Sequence, residues 1–368
     1  MTYSNYIFAF LTAFALGLAA TYLVRKLAIR LNILDRPNVA PERKIQKSPV
    51  PLLGGLGIFF AFFLTLLIFK NQIITGYIMP KYLWGIFLGA CLIMVGGWLD
   101  DKYNLRAKKQ FIWPLLATLA IIGAGIGVKY LTNPLGGFIW LDTVKIEILS
   151  WNGVPYYLTL FADLFALAWL LGMMYTTKFL DGLDGLVSGI TVIGAVVIFF
   201  MSLTHDVNQP ATALMSLILA GAAAGFLVFN FHPAKIFLGE GGSLFCGFSL
   251  GFLSIISGGK IATALLIMGI PILDVIWVII RRSLLEKKSP FNTSDKKHLH
   301  FRLLDVGFSH RGAVLFLYAL TVIFGFTTLF FKGFGKLISL AVLAFVMVIL
   351  GLVLVLIYKN KQKKKEAS

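Results

Sequence analysis

Acidic residues are scarce in this chain, and five of them stand in short polar segments beside long apolar runs. Two adjacent carboxylates, Asp100 and Asp101, end one apolar run, and Asp181 and Asp184 follow another. Glu240 lies in a glycine-rich stretch ahead of a further run. Carboxylates provide the hard oxygen ligands that Mg²⁺ prefers, and they also act as general acids and bases. These five side chains are therefore candidates for metal binding and catalysis.

A basic segment near the end of the chain provides a second set of candidates. It contains His298, His300 and Arg302. The guanidinium of an arginine suits phosphate geometry, and a histidine can exchange protons near pH 7. The stretch around Glu240 precedes a predicted helix, whose free backbone N–H groups can bind phosphate. The chain has no Walker A motif, so ATP hydrolysis by a P-loop is not supported.

The composition indicates what must position these residues. Of the 368 residues, 58% are hydrophobic and 13% are charged, and the mean hydropathy is +0.87. Soluble globular proteins are typically about 45–50% apolar and about 25% charged. An ordinary soluble domain and a disordered chain are both excluded, and an integral membrane protein remains. The two cysteines lie far apart in apolar runs and are expected to be packing residues.

Eleven apolar segments predict membrane-spanning helices, because one span needs roughly 20 apolar residues. They cover residues 6–24, 52–69, 82–99, 111–128, 158–176, 187–203, 212–229, 244–256, 261–280, 313–331 and 337–358. The predicted fold is an all-α polytopic membrane protein. A single transmembrane domain is expected over residues 1–358, followed by a basic tail over residues 359–368.

The charge distribution predicts how the chain is oriented. It has 33 Lys and Arg against 16 Asp and Glu, a formal net charge of +17. Of the 33 basic residues, 26 follow odd-numbered predicted spans, and cytoplasmic loops carry such an excess. The N-terminus is therefore expected outside and the C-terminus in the cytoplasm. The candidate residues also follow odd-numbered spans, so we expect them to converge on the cytoplasmic face. The basic excess is assigned to topology and headgroups, and no nucleic-acid partner is predicted.

The motifs, taken in chain order, resemble those of the polyprenyl-phosphate N-acetylhexosamine-1-phosphate transferases, which start wall-polymer, teichoic-acid and O-antigen lipid intermediates. The resemblance covers nearly the whole chain. The residues that carry it are Asp35-Arg36-Pro37-Asn38, Arg43-Lys44, Pro49 to Gly55, Asp100-Asp101 with Leu105 and Lys108, Asp181 to Leu186, Pro233 to Phe237 with Gly239 and Gly242-Ser243, Pro271 to Asp274, Arg281-Arg282 and His298 to Arg302. The last segment is most similar to the teichoic-acid and O-antigen branch.

The resemblance implies transfer of a sugar-1-phosphate, above all N-acetylglucosamine-1-phosphate, from a UDP-linked N-acetylhexosamine to undecaprenyl or another polyprenyl phosphate, with release of UMP. The enzyme would lie in the cell membrane with its active site on the cytoplasmic face. Direct attack by the lipid phosphate and a covalent aspartyl intermediate both remain open, as do a monomer and a homodimer.

The resemblance also implies roles for individual residues. Catalysis is assigned to Asp100, Asp101, Asp181 and Asp184, and the cofactor is Mg²⁺, with Mn²⁺ as the alternative, held by Glu240, Asp184 and Asp100. Substrate binding is assigned to Lys108, Lys178, Asn230, His298, His300 and Arg302. Asp100 or Asp101 would hold the metal or take the proton of the lipid phosphate. A cation between two phosphate-bearing substrates would neutralise the negative charge that develops as they react.

The chain departs from the family pattern at six positions. Relative to the family pattern and in chain order, a histidine is replaced by Gln46, a glutamine by Pro114, two asparagines by Tyr175 and Lys178, an aspartate by Glu240 and a histidine by Phe301. Lys178 is expected to pair with Asp181 or to contact a phosphate.

Three points stay open at this stage. Asp274, inside the ninth predicted span, is either a site residue or a structural hydrogen-bonding group. A secondary transporter is the main alternative function, although it would place ionisable residues near the bilayer midplane. A catalytically inactive polyprenyl-phosphate-binding membrane protein is the other.

Overall fold

The computed structural model describes residues 2–37, 46, 48–74, 77–133, 136–151, 154–258, 261–285 and 298–366. The helices in these ranges are α1 Tyr3–Arg30, α2 Gly54–Ile68, α3 Lys70–Ile73, α4 Pro80–Tyr103, α5 Ala107–Gly123, α6 Leu160–Leu180, α7 Leu186–Leu203, α8 Pro210–Asn230, α9 Gly239–Ile256, α10 Ile261–Ile267, α11 Gly269–Ile280, α12 Leu299–Val306, α13 His310–Phe330 and α14 Phe334–Glu366. A short π-helical turn, Arg281–Leu285, extends α11.

The apolar helices confirm an α-helical polytopic membrane protein. Among the described residues, eight helices are long and apolar enough to cross a bilayer, and α10 with α11 makes a ninth if this pair, bent by 77°, is one span. All eleven predicted segments contain helix, but α2 has 15 residues and α5 has 17. At 1.5 Å per residue they are shorter than the ~30 Å hydrocarbon core. The count of eleven full spans is therefore not supported.

Among the described residues, three short two-stranded antiparallel sheets were not predicted from the sequence. They pair β1 Leu34–Asp35 with β2 Val50–Pro51, β3 Tyr130–Thr132 with β4 Phe138–Trp140, and β5 Lys145–Trp151 with β6 Val154–Thr159. The last hairpin takes the start of the segment predicted as the fifth span, since Leu158 pairs with Ile146 in a strand. Its β-branched and aromatic residues are typical of strands, but a search for 20-residue apolar runs does not detect so short a unit.

The predicted boundary between the transmembrane domain and the basic tail, at residue 358, lies within a helix. Helix α14 continues without a break through residue 358 and ends at Glu366. The ammonium of Lys361 donates a hydrogen bond to the backbone carbonyl of Asp305, which lies on α12. The division of the chain at this position into a domain and a tail stays a prediction.

Helix α9 lies at the centre of the bundle, and nearly all of its residues are buried. Close contact with its neighbours depends on glycine. A Cβ atom added to Gly97 on α4 would lie 2.2 Å from the Cα atom of Gly241, and one added to Gly55 on α2 would lie 2.1 Å from the Cα atom of Gly242. Small residues allow helices in a membrane to approach backbone to backbone. The first turn of α9 is therefore held directly against α2 and α4.

This packing gives a first prediction. Gly97→Ala should lower the free energy of unfolding by at least ~2 kcal/mol, because the added methyl group meets backbone atoms that cannot rotate away. The melting temperature of the purified protein in detergent measures the effect. Gly172→Ala on α6 is the matched control, since nothing lies within 4 Å of its added Cβ atom. Equal melting temperatures for the two variants would contradict the packing argument.

One end of the bundle collects the polar segments. The C-terminal ends of α4 and α6 contact the N-terminal end of α9, and the first residue of α13 contacts the loop after α6. The expected convergence of the acidic segments on one face is therefore confirmed.

Candidate active site

A ring of polar contacts joins four helices at this end. The side-chain amide of Gln110 on α5 donates to the Oδ1 atom of Asp100 at 2.8 Å, and its oxygen accepts from the ammonium of Lys178 at 3.0 Å. Lys178 also forms an ion pair with Glu240, at 2.5 Å between Nζ and Oε1. The backbone N–H of Glu240 donates to the Oδ1 atom of Asp101 at 3.0 Å, which closes the ring. The structure thus brings together the Asp-Asp pair, Lys178 and Glu240.

Two details of this ring differ from the sequence expectations. Lys178 pairs with Glu240 rather than with Asp181. Gln110 was not among the predicted site residues, yet it links Asp100 to Lys178. A signal for it was available, because the family glutamine is replaced by Pro114, and residue 110 lies one helical turn earlier on the same face of α5.

The two members of the Asp-Asp pair differ in their surroundings. Asp100 closes the turn after α4, since its Oδ1 atom also accepts from the backbone N–H of Leu105 at 2.8 Å. Asp101 faces α9, and its Oδ2 atom lies opposite Gly239, where an added Cβ atom would come within 2.3 Å. Both side chains are half-buried. Asp100 therefore holds the loop, whereas Asp101 fixes the first turn of α9.

Asp181, directly after α6, is the accessible carboxylate of the site. Its side chain is exposed, and no hydrogen bond or ion pair of its carboxylate is found among the described residues. The surrounding protein, which displaces water, and the nearby carboxylates of Glu240 and Asp184 raise the pKa of Asp181 to about 7. Part of the side chain still reaches solvent, so the group can exchange protons. An accessible carboxyl that titrates near neutral pH has the properties of a general base.

Asp184 has a different environment, formed by two histidines that the sequence analysis did not select. Its Oδ2 atom lies 2.6 Å from the Nδ1 atom of His232 and accepts from the backbone N–H of Ala234 at 3.1 Å. The backbone N–H of Asp184 donates to the Nε2 atom of His310 at 2.9 Å. The two imidazole rings are stacked, with centroids 4.0 Å apart. The histidines fix the Asp-Gly-Leu-Asp loop against α13 and the loop before α9.

Asp184, His232 and His310 also form a candidate metal site, because one ligand atom from each lies within 4.8 Å of the others. They are the one such group of three or more His, Cys, Asp or Glu side chains among the described residues. Two nitrogens and one oxygen suit a transition metal better than Mg²⁺. Each ligand atom is already used in the contacts given above. The predicted magnesium set of Glu240, Asp184 and Asp100 is not gathered into one such group.

Asn230, predicted to bind substrate, is buried and makes three hydrogen bonds within the protein. Its Oδ1 atom accepts from the backbone N–H of Gly185 at 3.1 Å and from the hydroxyl of Ser188 at 2.8 Å. Its amide group donates to the backbone carbonyl of Ile236 at 3.0 Å. The side chain therefore ties the start of α7 to the loop before α9.

Asp274 is a buried hydrogen-bonding group that positions the histidine segment. It lies on α11 after the bend, and its Oδ2 atom is 2.8 Å from the Nδ1 atom of His298. Its Oδ1 atom accepts from the backbone N–H of Leu299 at 2.9 Å, at the first turn of α12. One carboxylate thus fixes both the first site histidine and the short helix that carries the rest of the segment.

His300 is almost fully buried, and neither ring nitrogen has a hydrogen-bond partner among the described residues. Its Nε2 atom faces Gly182, where an added Cβ atom would come within 2.2 Å. Burial lowers the pKa of His300 to about 3, against the opposing effect of Asp274. The expectation of proton exchange near pH 7 therefore does not hold for His300, which packs against the Asp-Gly-Leu-Asp loop as a neutral ring.

His300 gives a second prediction. Its pKa in the folded protein, about 3, lies below the value of about 6.5 in an unfolded chain, so the unfolded state binds the proton between these two values. Stability should fall as the pH drops below about 6.5, by up to ~1.4 kcal/mol per pH unit from this group. His300→Gln should therefore lose less melting temperature than the wild type between pH 7 and pH 5.5. His205→Gln, at an exposed histidine, should behave like the wild type. A parallel decline in all three proteins would contradict this assignment.

The remaining predicted residues are less closely tied to the ring. Lys108 is exposed on the first turn of α5, and Arg302 is half-buried on α12. Arg43, Lys44, Lys296 and Lys297, which belong to motif segments or to the basic loop, lie outside the described residues. Gln46 donates to the Oδ2 atom of Asp35 at 2.5 Å.

Comparison with known proteins shows the family to which the chain belongs. A model described as glycosyl transferase family 4 matches residues 83–258. Over 347 residues the chain is 33% identical to a probable undecaprenyl-phosphate N-acetylglucosaminyl 1-phosphate transferase of Bacillus subtilis, which covers 93% of this chain and 88% of that protein. It is 33% identical to a decaprenyl-phosphate N-acetylglucosaminephosphotransferase of Mycolicibacterium smegmatis, over 87% of this chain and 81% of that protein.

The match to an Escherichia coli undecaprenyl-phosphate alpha-N-acetylglucosaminyl 1-phosphate transferase is 27% identical, over 83% of this chain and 77% of that protein. The bundle of apolar helices with a carboxylate-rich end is thus that of a multi-pass membrane glycosyltransferase. The chain belongs to glycosyl transferase family 4, among relatives of the undecaprenyl- and decaprenyl-phosphate N-acetylglucosamine-1-phosphate transferases. This membership favours a transferase over a secondary transporter.

Proposed function

We propose that this protein transfers N-acetylglucosamine-1-phosphate from a UDP-linked sugar to a polyprenyl phosphate and releases UMP. The observation that carries the proposal is Asp181, an accessible carboxylate with no partner among the described residues, beside a ring that contains Asp101, Lys178 and Glu240. The names of the relatives support the acceptor lipid and the sugar. The proposal adds that the sugar donor is linked to UDP.

The chemistry of the site suits the meeting of two phosphate-bearing molecules. Asp181 would take the proton from the phosphate of the lipid acceptor, because an ionised carboxylate with a pKa near neutral is matched to a phosphate whose second pKa is about 6. Asp101 would keep the first turn of α9 in place beside the reacting group. His298 and Arg302 would bind the diphosphate of the donor. Direct attack then requires no covalent enzyme intermediate.

A divalent cation is part of the proposal. When bound, Mg²⁺ would neutralise charge that develops on the transferred phosphate. The carboxylate oxygens of Asp100 and Asp101, at the end of α4, fit such an ion, since they are hard ligands. Mn²⁺ is the alternative. Glu240 is already paired with Lys178, and Asp184 with His232, so their predicted role as ligands stays a prediction.

The location of the site is likewise proposed. We place the polar end of the bundle in the cytoplasm, with the N-terminus outside, because most basic residues follow odd-numbered predicted spans. The cell membrane then gives access to both a cytosolic nucleotide sugar and a membrane-bound lipid phosphate. A role at the start of teichoic-acid or O-antigen synthesis is the corresponding pathway proposal. A homodimer stays a prediction.

The decisive experiment uses the full-length protein in detergent with radiolabelled UDP-N-acetylglucosamine, undecaprenyl phosphate and Mg²⁺. We expect label to enter the lipid fraction and UMP to appear in equal amount. Omitting the lipid should abolish both. Lack of turnover with every UDP-N-acetylhexosamine would overturn the proposal, and retained binding of labelled polyprenyl phosphate would then support the inactive lipid-binding protein.

A further inference from the structure

The ion pair between Lys178 and Glu240 lies at the centre of the site and is largely sheltered from water. The two side chains are 19% and 16% exposed. The ammonium has a second polar contact, to the Oε1 atom of Gln110 at 3.0 Å, and it lies 5.6 Å from the ring centroid of Tyr175. Lys178 is thus held from three sides while its charge remains directed at the Glu240 carboxylate.

The two partners come from different helices of the bundle. Lys178 is in the last turn of α6 and Glu240 is in the first turn of α9, 62 positions apart in the sequence. Their charged atoms are nevertheless 2.5 Å apart. The packing of α6 against α9 therefore creates this interaction. A neutral amide at position 178 would leave the carboxylate at position 240 without this cation.

The pair has an electrostatic consequence for any added cation. A divalent ion at the Glu240 carboxylate would share that group with an ammonium at hydrogen-bonding distance. Two positive charges a few ångströms apart repel strongly in a site of low dielectric. The ammonium would have to withdraw from both Glu240 and Gln110 before the ion could bind there.

We propose that Lys178 is the resident cation of this site, bound to Glu240 in a coupled pair that excludes a divalent ion from the Glu240 carboxylate. The inference deepens the proposed function, since it concerns the charges that the transferred phosphate meets. A divalent ion that serves the reaction then binds at other oxygens of the site, and the cation requirement of the enzyme depends on residue 178.

The test measures metal binding without substrates, so its outcome does not depend on turnover. Mn²⁺ is titrated into the purified full-length protein, and the free ion is followed by electron paramagnetic resonance. Lys178→Asn should gain affinity for one Mn²⁺ by at least about tenfold, and the gain should vanish in the double variant with Glu240→Gln. In the wild-type background, Glu240→Gln should leave Mn²⁺ binding unchanged. Lys129→Asn, at an exposed lysine beyond the far end of α5, is the matched control.

Thermal melting gives a second readout. Lys178→Asn leaves Glu240 with a sheltered, uncompensated charge, so the variant should melt at a lower temperature than the wild type. Mn²⁺ should raise the melting temperature of the variant and leave that of the wild type unchanged. Lys178→Gln serves if the asparagine variant does not fold. Two results would overturn the proposal: a tenfold loss of Mn²⁺ affinity on Glu240→Gln in the wild-type background, or no Glu240-dependent gain in either Lys178 variant. Failure of sugar transfer would overturn the proposed function and leave this result standing.

Discussion

Asp181→Asn should lower kcat by about 10³-fold and leave the fold intact. The loss is expected because a positioned general base contributes about 10²–10⁴-fold, and the amide cannot accept the proton. The fold should persist because the carboxylate has no partner among the described residues and is repelled by Glu240. The melting temperature should therefore stay the same or rise slightly. Initial rates of lipid labelling, measured at saturating substrates, give the effect.

The pH dependence supplies an independent check on the same residue. The base must be ionised, so the wild-type rate should fall about tenfold per unit below a pH of about 7, the pKa of Asp181. This acid limb should disappear in the residual activity of Asp181→Asn. Asp142→Asn is the control, since Asp142 lies between β4 and β5 and faces the exposed Lys145. Full activity of the Asp181 variant, or an unchanged acid limb, would remove Asp181 from the reaction.

Asp274→Ala should have the largest effect on stability, a loss of about 3 kcal/mol. Removing the carboxylate leaves the Nδ1 atom of His298 and the backbone N–H of Leu299 buried without an acceptor. Unsatisfied buried groups cost about 1–3 kcal/mol each, and the loss of one partner from a buried pair costs about 3–5 kcal/mol. Activity should fall by at least about 100-fold, because α12 and its histidines lose their anchor.

The conservative change tests whether the acceptor or the charge matters. In Asp274→Asn the amide oxygen can still accept from Leu299, so this variant should keep more stability than the alanine variant. Asp305→Ala, at an exposed side chain on α12 itself, should match the wild type in both stability and turnover. Melting curves and the KM for the nucleotide sugar are the measurements. An alanine variant that melts like the wild type would show that Asp274 does not anchor α12.

Much of this protein could be predicted from the sequence, because the relevant signals are local. A run of apolar residues is sufficient to specify a helix in a membrane, since every backbone group must be satisfied within the segment. The predicted number of membrane spans was too high at α2 and α5, whose helices are shorter than the bilayer core although their apolar runs are long enough. The sequence also did not show that the ninth predicted span bends by 77° between Ile267 and Gly269. The prediction also missed the hairpins, whose strands are too short to stand out in an apolar profile.

The candidate residues were likewise identified by type, but their pairing was not. Asp100, Asp101, Asp181, Asp184 and Glu240 were selected as carboxylates beside apolar runs, and the structure gathers them at one end of the bundle. Lys178, expected to pair with Asp181 or to contact a phosphate, pairs with Glu240. The sequence prediction also omitted three side chains that hold the others in place, namely Gln110, His232 and His310.

The physical reason is the range of the contacts. The partners Asp101 and Glu240 are 139 positions apart, and Asp184 and His310 are 126 positions apart. A sequence by itself determines that a chain will enter the membrane and which of its residues can ionise, since both follow from side-chain chemistry and local spacing. The packing of the helices decides which charges meet, as it does for α9 against α4 and α6 and for α13 against the loop after α6, because only elements in contact bring such distant groups within hydrogen-bonding distance.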